Sequence, residues 1–278
     1  MIRVGSLFSG IGGIEYGFEQ AGGFETKWFV ENNPYAQTIL RKHWPNALIY
    51  PDIRKLDFTM PPEIDVLTGG FPCQDISIAG KGRGLEGERS GLWKQYLRAI
   101  SEMRPRYALI ENVPMLRHRG LSTILCDLAE IRYNAEWFSL SAKEVGALHK
   151  RERMFIIAYP DDNGTLGQEA AEAQWGRLQT EFDDLVASDA WGERVERHKQ
   201  KTLSRQQGLS WGKDVRRLED LQRIRDIPEP LLRRDSNGVS FRLDRIKCLG
   251  NAVVPQVAEF FAEIIKEKEV VEGKGGLK

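Results

Sequence analysis

The sequence predicts an α/β fold, a doubly wound and mainly parallel sheet joined to a second, smaller domain. Three observations carry that reading. Short apolar runs alternate with amphipathic helical stretches from Ile2 to Tyr159, the order of repeated βα units. Several runs end abruptly in glycine, proline or a single acid, and the ends of strands are where open α/β sheets bind ligands. The alternation then breaks at Pro160 and returns only at Asp244. The chain therefore divides into 1–160, 161–243 and 244–278.

Taken in order, the first strand runs from Ile2 to Phe8 and enters Ser9-Gly10-Ile11-Gly12-Gly13. Glycines after a strand let the backbone come close to a ligand. Ile14, Phe18 and Ala21 then give a helical face. A second strand, Thr26 to Val30, ends in Glu31, about 20 positions beyond the glycine loop, where a dinucleotide-type fold holds a ribose hydroxyl. Glu15 occupies the last place of G-x-G-x-x-G, so a plain tight turn with an exposed Glu31 stays open as the alternative. A helix from Tyr35 to His43 and a short strand at 47–50 follow. Asp52, just beyond them, either meets the adenine of a nucleotide-like cofactor or caps a turn.

The apolar run Ile64 to Leu67 climbs into Thr68-Gly69-Gly70-Phe71-Pro72-Cys73-Gln74. A cysteine there is either a nucleophile or a buried structural thiol, and this stretch alone does not choose. The segment Gly80 to Gly91 is glycine-rich and carries Lys81, Arg83 and Arg89, the makings of a lid over an anionic substrate or of a plain flexible loop. Leu92, Trp93, Tyr96, Leu97, Ile100 and Met103 recur at helical spacing as core. A strand from Tyr107 to Ile110 ends in Glu111-Asn112-Val113-Pro114. Leu121, Ile124, Leu125 and Leu128 mark another helix, which makes Cys126 a packing residue. Strand-like segments occupy 136–141 and 154–159; just before the second, Arg151 and Arg153 share one face of an extended chain. His149 has no metal-ligand partner at a useful spacing.

From Asp161 to about Ser240 the chain is polar, with Trp175, Trp191 and Trp211. Its formal charge is −7 over 161–190 and +5 over 191–245, so a basic surface is compatible with a net charge of zero. Val254, Val257, Ala258, Phe261, Ile264 and Ile265 form an apolar face. That face predicts a C-terminal helix packed back on the first domain, with Leu249-Gly250-Asn251-Ala252-Val253 turned toward a ligand there.

Composition bounds the class. With 41% hydrophobic and 29% charged residues over 278 positions, the chain reads as a soluble protein with a real core. Its apolar runs fall short of the roughly 20 residues a membrane span needs, and Met1-Ile2-Arg3-Val4 lacks a signal-peptide pattern. Three scattered cysteines, Cys73, Cys126 and Cys248, make neither a disulfide framework nor a metal cluster. A cytoplasmic protein without a metal is expected.

The glycine loop, Glu31-Asn32-Asn33, Asp52-Ile53, Gly69 to Gln74, Glu111-Asn112-Val113, Arg151-Glu152-Arg153 and Gly250 to Val253 stand together in one order. In that order and spacing the chain resembles the cytosine-5 DNA methyltransferases of bacteria and phages. The combination of Pro-Cys-Gln, Glu-Asn-Val and Arg-Glu-Arg is specific where each piece alone is not. The resemblance implies a Rossmann-like methyltransferase sheet with 161–243 as target-recognition domain, S-adenosylmethionine as cofactor and double-stranded DNA as substrate. It further implies a monomer serving restriction-modification, beside a cognate endonuclease, or phage self-protection.

The resemblance also implies roles. Cys73 attacks carbon 6 of a flipped cytosine, Glu111 serves ring nitrogen 3, and Arg151 and Arg153 hold the base carbonyl or a phosphate. Phe8 lies against the adenine, Ser9, Gly10, Gly12 and Gly13 near the methionine end, and Glu31 with Asn32 at the ribose. Asp52 and Ile53 border the adenine, while Pro72, Leu92, Asn251 and Ala252 complete the pocket. Gln74, Ser77, Lys81, Arg83 and Arg89 face the DNA. Two departures stand out. The Arg-x-Leu-Thr-Pro-Arg-Glu segment usual before the last motif is replaced by Phe241-Arg242-Leu243-Asp244-Arg245-Ile246-Lys247, and Ala252 stands for the usual Ser. A tRNA methyltransferase, a nicotinamide-dependent oxidoreductase and a non-catalytic DNA-binding protein are the competing readings.

Overall fold

Strands with apolar residues at every position are strands buried on both faces. In the computed structural model, which describes residues 1–72, 91–146, 151–161, 189–208 and 252–275, seven strands form one sheet. They are β1 (Ile2–Leu7), β2 (Phe24–Val30), β3 (Leu48–Tyr50), β4 (Val66–Gly70), β5 (Tyr107–Asn112), β6 (Tyr133–Ser141) and β7 (Glu152–Pro160), in the order β3-β2-β1-β4-β5-β7-β6. Of these, β1, β4 and β5 at the centre of the sheet come nearest to that pattern. Helices α1 (Gly13–Ala21), α2 (Pro34–His43), α3 (Leu92–Met103), α4 (Leu116–Arg119), α5 (Leu121–Glu130), α6 (Asp189–Gly208) and α7 (Pro255–Gly275) are described between and after them.

Pairings among β1 to β5 are parallel, whereas β7 runs antiparallel to both β5 and β6. The expected mainly parallel sheet is therefore closed on one side by an antiparallel pair. Only ten residues separate Ser141 from Glu152, too few for the crossover a parallel neighbour would require.

Successive residues alternate between the two faces. Leu67, Ala108, Ile110, Met154 and Ile156 join the core under α3 and α5. Val66, Tyr107, Leu109, Phe155 and Ile157 join the core under α1 and α7. The final helix packs on the first domain as its apolar face predicts: a Cβ on Gly17 would stand 2.3 Å from the Pro255 carbonyl oxygen and 2.6 Å from the Ala258 Cβ. In α5 the buried stripe is Leu121, Ile124 and Leu128. Cys126, two positions from the nearest of these, is exposed rather than a packing residue. Among the described residues no helix is long and apolar enough to cross a membrane.

Within 161–243, α6 lies against α7. His198 is buried, with Nδ1 2.8 Å from Glu263 Oε2 and Nε2 3.1 Å from the Gln256 carbonyl oxygen. Lys201 also pairs with Glu263, and Arg194 reaches Glu267 at 2.7 Å. Burial pushes the Glu263 carboxyl up, but the hydrogen bonds and charges of His198 and Lys201 outweigh it and bring it from 4.5 to about 2. A carboxyl held below its unfolded value adds stability that is complete above that value and is lost progressively as pH falls through the folded one. Glu263→Gln should thus destabilise the chain by about 2 kcal/mol near pH 6 and by clearly less near pH 3, measured by denaturant unfolding. An unchanged difference at the two pH values would contradict the assignment.

Candidate active site

In an open α/β sheet the strand order reverses direction at one point, and the crevice there is the natural ligand site. Here the reversal lies between β1 and β4. The carboxyl ends of these strands and of β5 open into one cavity of about 540 Å³. Phe8, Ser9, Gly10, Gly13, Glu31, Asn32, Asp52, Ile53, Pro72, Leu92 and Ala252 line it, and so do Glu111 and Arg153. Motifs far apart in sequence thus meet at one edge of the sheet.

The turn after β1 is tightly wound. Phe8, Gly10 and Gly12 all have positive φ, at 52, 56 and 82°. For Phe8 this left-handed conformation is strained by about 1 kcal/mol or more, a strain typical of ligand sites. Gly12, between two glycines of the loop, is itself outside the residues that line the cavity. It begins α1 on the far side of the loop, where a Cβ would lie 2.5 Å from the Trp44 ring.

Glu31 is buried at the end of β2. Its Oε2 accepts from the Gly10 amide at 2.7 Å and its Oε1 from the Asn33 amide at 2.7 Å. Burial raises this carboxyl against backbone donation from Asn33, Gly10 and Asn32. Glu31 therefore straps the glycine loop to the start of α2, while the carboxylate keeps acceptor capacity for a ligand hydroxyl. Asp52 caps a turn, its Oδ1 accepting from the Arg54 amide at 3.0 Å, and its residue also borders the cavity.

At the other end of the cavity the register sets the chemistry. Glu111 stands opposite Phe155 in the antiparallel pair, so Arg151, Arg153 and Glu111 project from one face. Arg153 Nε lies 3.0 Å from Glu111 Oε1, with both side chains largely buried. Burial raises the Glu111 carboxyl, and the charges of Arg153 and Arg151 restrain the rise. Burial likewise lowers Arg151, helped by Arg153 and opposed by Glu111. Glycine leaves room for this pair: a Cβ on Gly70 would sit 2.5 Å from Glu111 Oε2 and push the carboxyl aside.

Asn112, which sequence reasoning left without a role, is 2% exposed and donates from Nδ2 to the Phe71 carbonyl at 3.2 Å. It holds the segment that leads into Pro72 and Cys73. A polar residue inside an otherwise apolar strand is the signal that could have found it. Cys73, Gln74, Ser77, Lys81, Arg83, Arg89 and Asn251 lie outside the described residues.

The cavity suits S-adenosylmethionine on three counts: its volume falls in the range of small-molecule sites, a buried acid offers acceptors for ribose hydroxyls, and apolar Phe8 and Ile53 line it along with the polar Asp52. Comparison with known proteins points the same way. The family model for C-5 cytosine-specific DNA methylase matches residues 2–231. The type II methyltransferase M.Bsp6I of Bacillus sp. is 37% identical over 165 residues, covering 57% of this chain and 52% of that protein. The type II methyltransferase M2.BsuMI of Bacillus subtilis is 38% identical over 165 residues, covering 56% of this chain and 42% of that one. The chain spans about half the length of the curated relatives it matches. The solved methyltransferase EhMeth of Entamoeba histolytica superposes with a TM-score of 0.50 at 18% identity, over 57% of this chain and 53% of that one, a likeness of fold alone.

Proposed function

The chain belongs to the C-5 cytosine-specific DNA methylase family, and from there we propose that it transfers a methyl group from S-adenosylmethionine to carbon 5 of a cytosine in duplex DNA. The observation that carries this reading is the Glu111–Arg153 pair opening into the same cavity as the glycine loop, Glu31 and Pro72. A cofactor half-site and an acid-base half-site thus share one space, with Cys73 next in the chain after Pro72.

Carbon 5 of cytosine is a poor nucleophile. Addition of the Cys73 thiolate to carbon 6 makes the ring enamine-like, and Glu111, its carboxyl raised by burial, gives its proton to ring nitrogen 3 as electron density arrives there. Arg153 fixes the Glu111 carboxyl and, with Arg151, holds the base carbonyl or the adjoining phosphate. S-adenosylmethionine, held by the Glu31 strap, the glycine loop, Asp52 and Leu92, would supply the electrophilic methyl group. Loss of the proton on carbon 5 to a water molecule then expels the Cys73 thiolate, and ring nitrogen 3 returns its proton to Glu111, which leaves a neutral 5-methylcytosine. The target base has to leave the helix first, at a cost of a few kcal/mol.

Residues 161–243 serve as the target-recognition domain in this reading, with basic residues for phosphates and α6 resting on α7. Gln74, Ser77, Lys81, Arg83 and Arg89 are assigned to DNA from their sequence positions. The enzyme acts as a cytoplasmic monomer, with a cognate endonuclease or a phage genome as its context. Bisulfite sequencing of plasmid DNA from cells expressing the chain tests the whole reading. Protection of one cytosine in one short sequence is expected. Unmodified DNA, together with methylation of tRNA by the purified protein, would overturn it.

A further inference from the structure

The mechanism leaves the buried acid at the cavity wall, Glu15, unused. Glu15, in the first turn of α1, is 1% exposed and yet reaches the cavity wall. Its Oε1 accepts from Thr68 Oγ1 at 2.6 Å, and Ser6 also hydrogen-bonds to it. Ser6 and Thr68 are register partners on β1 and β4, so the carboxyl spans the two strands between which the sheet reverses.

Such a group is costly. A buried carboxylate normally faces an arginine, lysine or metal. Around Glu15 the ionisable neighbours are Glu19 on its own helix and Tyr96 from α3, and among the described residues no cation acts on it. Burial accordingly raises the Glu15 carboxyl. Glu31, Glu111 and Arg153 border the same cavity, but none of them contributes to its shift. The helix amino end and two hydroxyls are nevertheless arranged to receive an anion there. A cation that arrives with a ligand would complete this arrangement.

Position says which cation. Thr68, which holds Glu15, and Gly70, which abuts Glu111, lie on one face of β4, about 7 Å apart along the strand. Glu15 and Glu111 are thus both held against one face of β4 at its carboxyl end, where the proposed reaction holds the ring, and the charge nearest the transferred methyl is the sulfonium. Resting on the methyltransferase reading, we propose that Glu15 is the counter-ion of the sulfonium, by which the site prefers S-adenosylmethionine over the neutral thioether that methyl transfer leaves behind. Glu15 is then a specificity residue that also favours product release.

Calorimetric titration of the whole chain with S-adenosylmethionine and with S-adenosylhomocysteine tests this. Glu15→Gln, nearly isosteric, should weaken the sulfonium ligand by about tenfold or more while changing the thioether little. Equal weakening of the two, or none, would overturn the proposal. Failure of the wild type to bind either ligand would instead sink the cofactor reading on which it rests. A measurement on the wild type alone covers a variant that does not fold: titrations in two buffers of different protonation heat should report more proton release with the sulfonium ligand than with the thioether. Equal release with both ligands overturns the assignment.

Discussion

Cys73→Ser abolishes methyl transfer, lowering turnover by about 10⁴-fold or more, and forms no covalent complex with duplex DNA carrying 5-fluorocytosine at the target. Both results follow from the electron demand of the ring. Carbon 6 accepts only a strong nucleophile, and a thiol with an ordinary pKa near ~8.5 is already a few per cent thiolate at neutral pH. A serine hydroxyl at the same place offers essentially no alkoxide. Fluorine at carbon 5 blocks the final elimination, so the wild type with S-adenosylmethionine should remain attached to the DNA and survive denaturing electrophoresis. Trapping by the serine variant as efficient as by the wild type would rule out thiolate addition. Retained DNA binding by that variant, read in a gel-shift assay, separates loss of chemistry from loss of fold.

The sheet was legible because its central strands are short and largely apolar and their helices amphipathic, so period and punctuation agree from Ile2 to Tyr159. What periodicity does not carry is direction. The reversal of β7 follows from the ten-residue link after Ser141, a constraint of length rather than of pattern. The cavity residues were legible for a similar reason: Glu31 and Glu111 each stand at the end of a strand, where a lone acid after an apolar run has little structural purpose. Cys126 was misplaced, and the packing reason for a glycine at 12 was missed, because both environments are tertiary. The Trp44 ring that demands a glycine at 12 comes from the end of α2, and the solvent face of α5 is set by packing on the sheet. Glu15 was visible only as a break in the glycine pattern. Its burial against Thr68, fifty-three positions away, depends on the β1–β4 pairing, which no local stretch encodes.

Glu111→Gln should lower turnover by about 10²- to 10³-fold while changing DNA affinity by less than about threefold. The amide keeps the shape of the carboxyl and can still accept from Arg153, so the base can still dock. It has no proton to give to ring nitrogen 3 when the thiolate adds, and that step carries the cost. The wild-type carboxyl is tuned for the donation by burial, which raises it, against Arg153 at 3.0 Å and Arg151, which restrain it. The sign of the pH dependence follows. The protonated carboxyl is the competent form, so turnover supported by Glu111 declines as pH rises through its elevated value, whereas Cys73 gains thiolate over the same direction. The two opposed ionisations predict a bell-shaped profile in the wild type, and Glu111→Gln should lose the alkaline limb and keep the acid one. Equal losses of binding and turnover, or an alkaline limb that survives the substitution, would assign Glu111 to docking the base rather than to moving its proton.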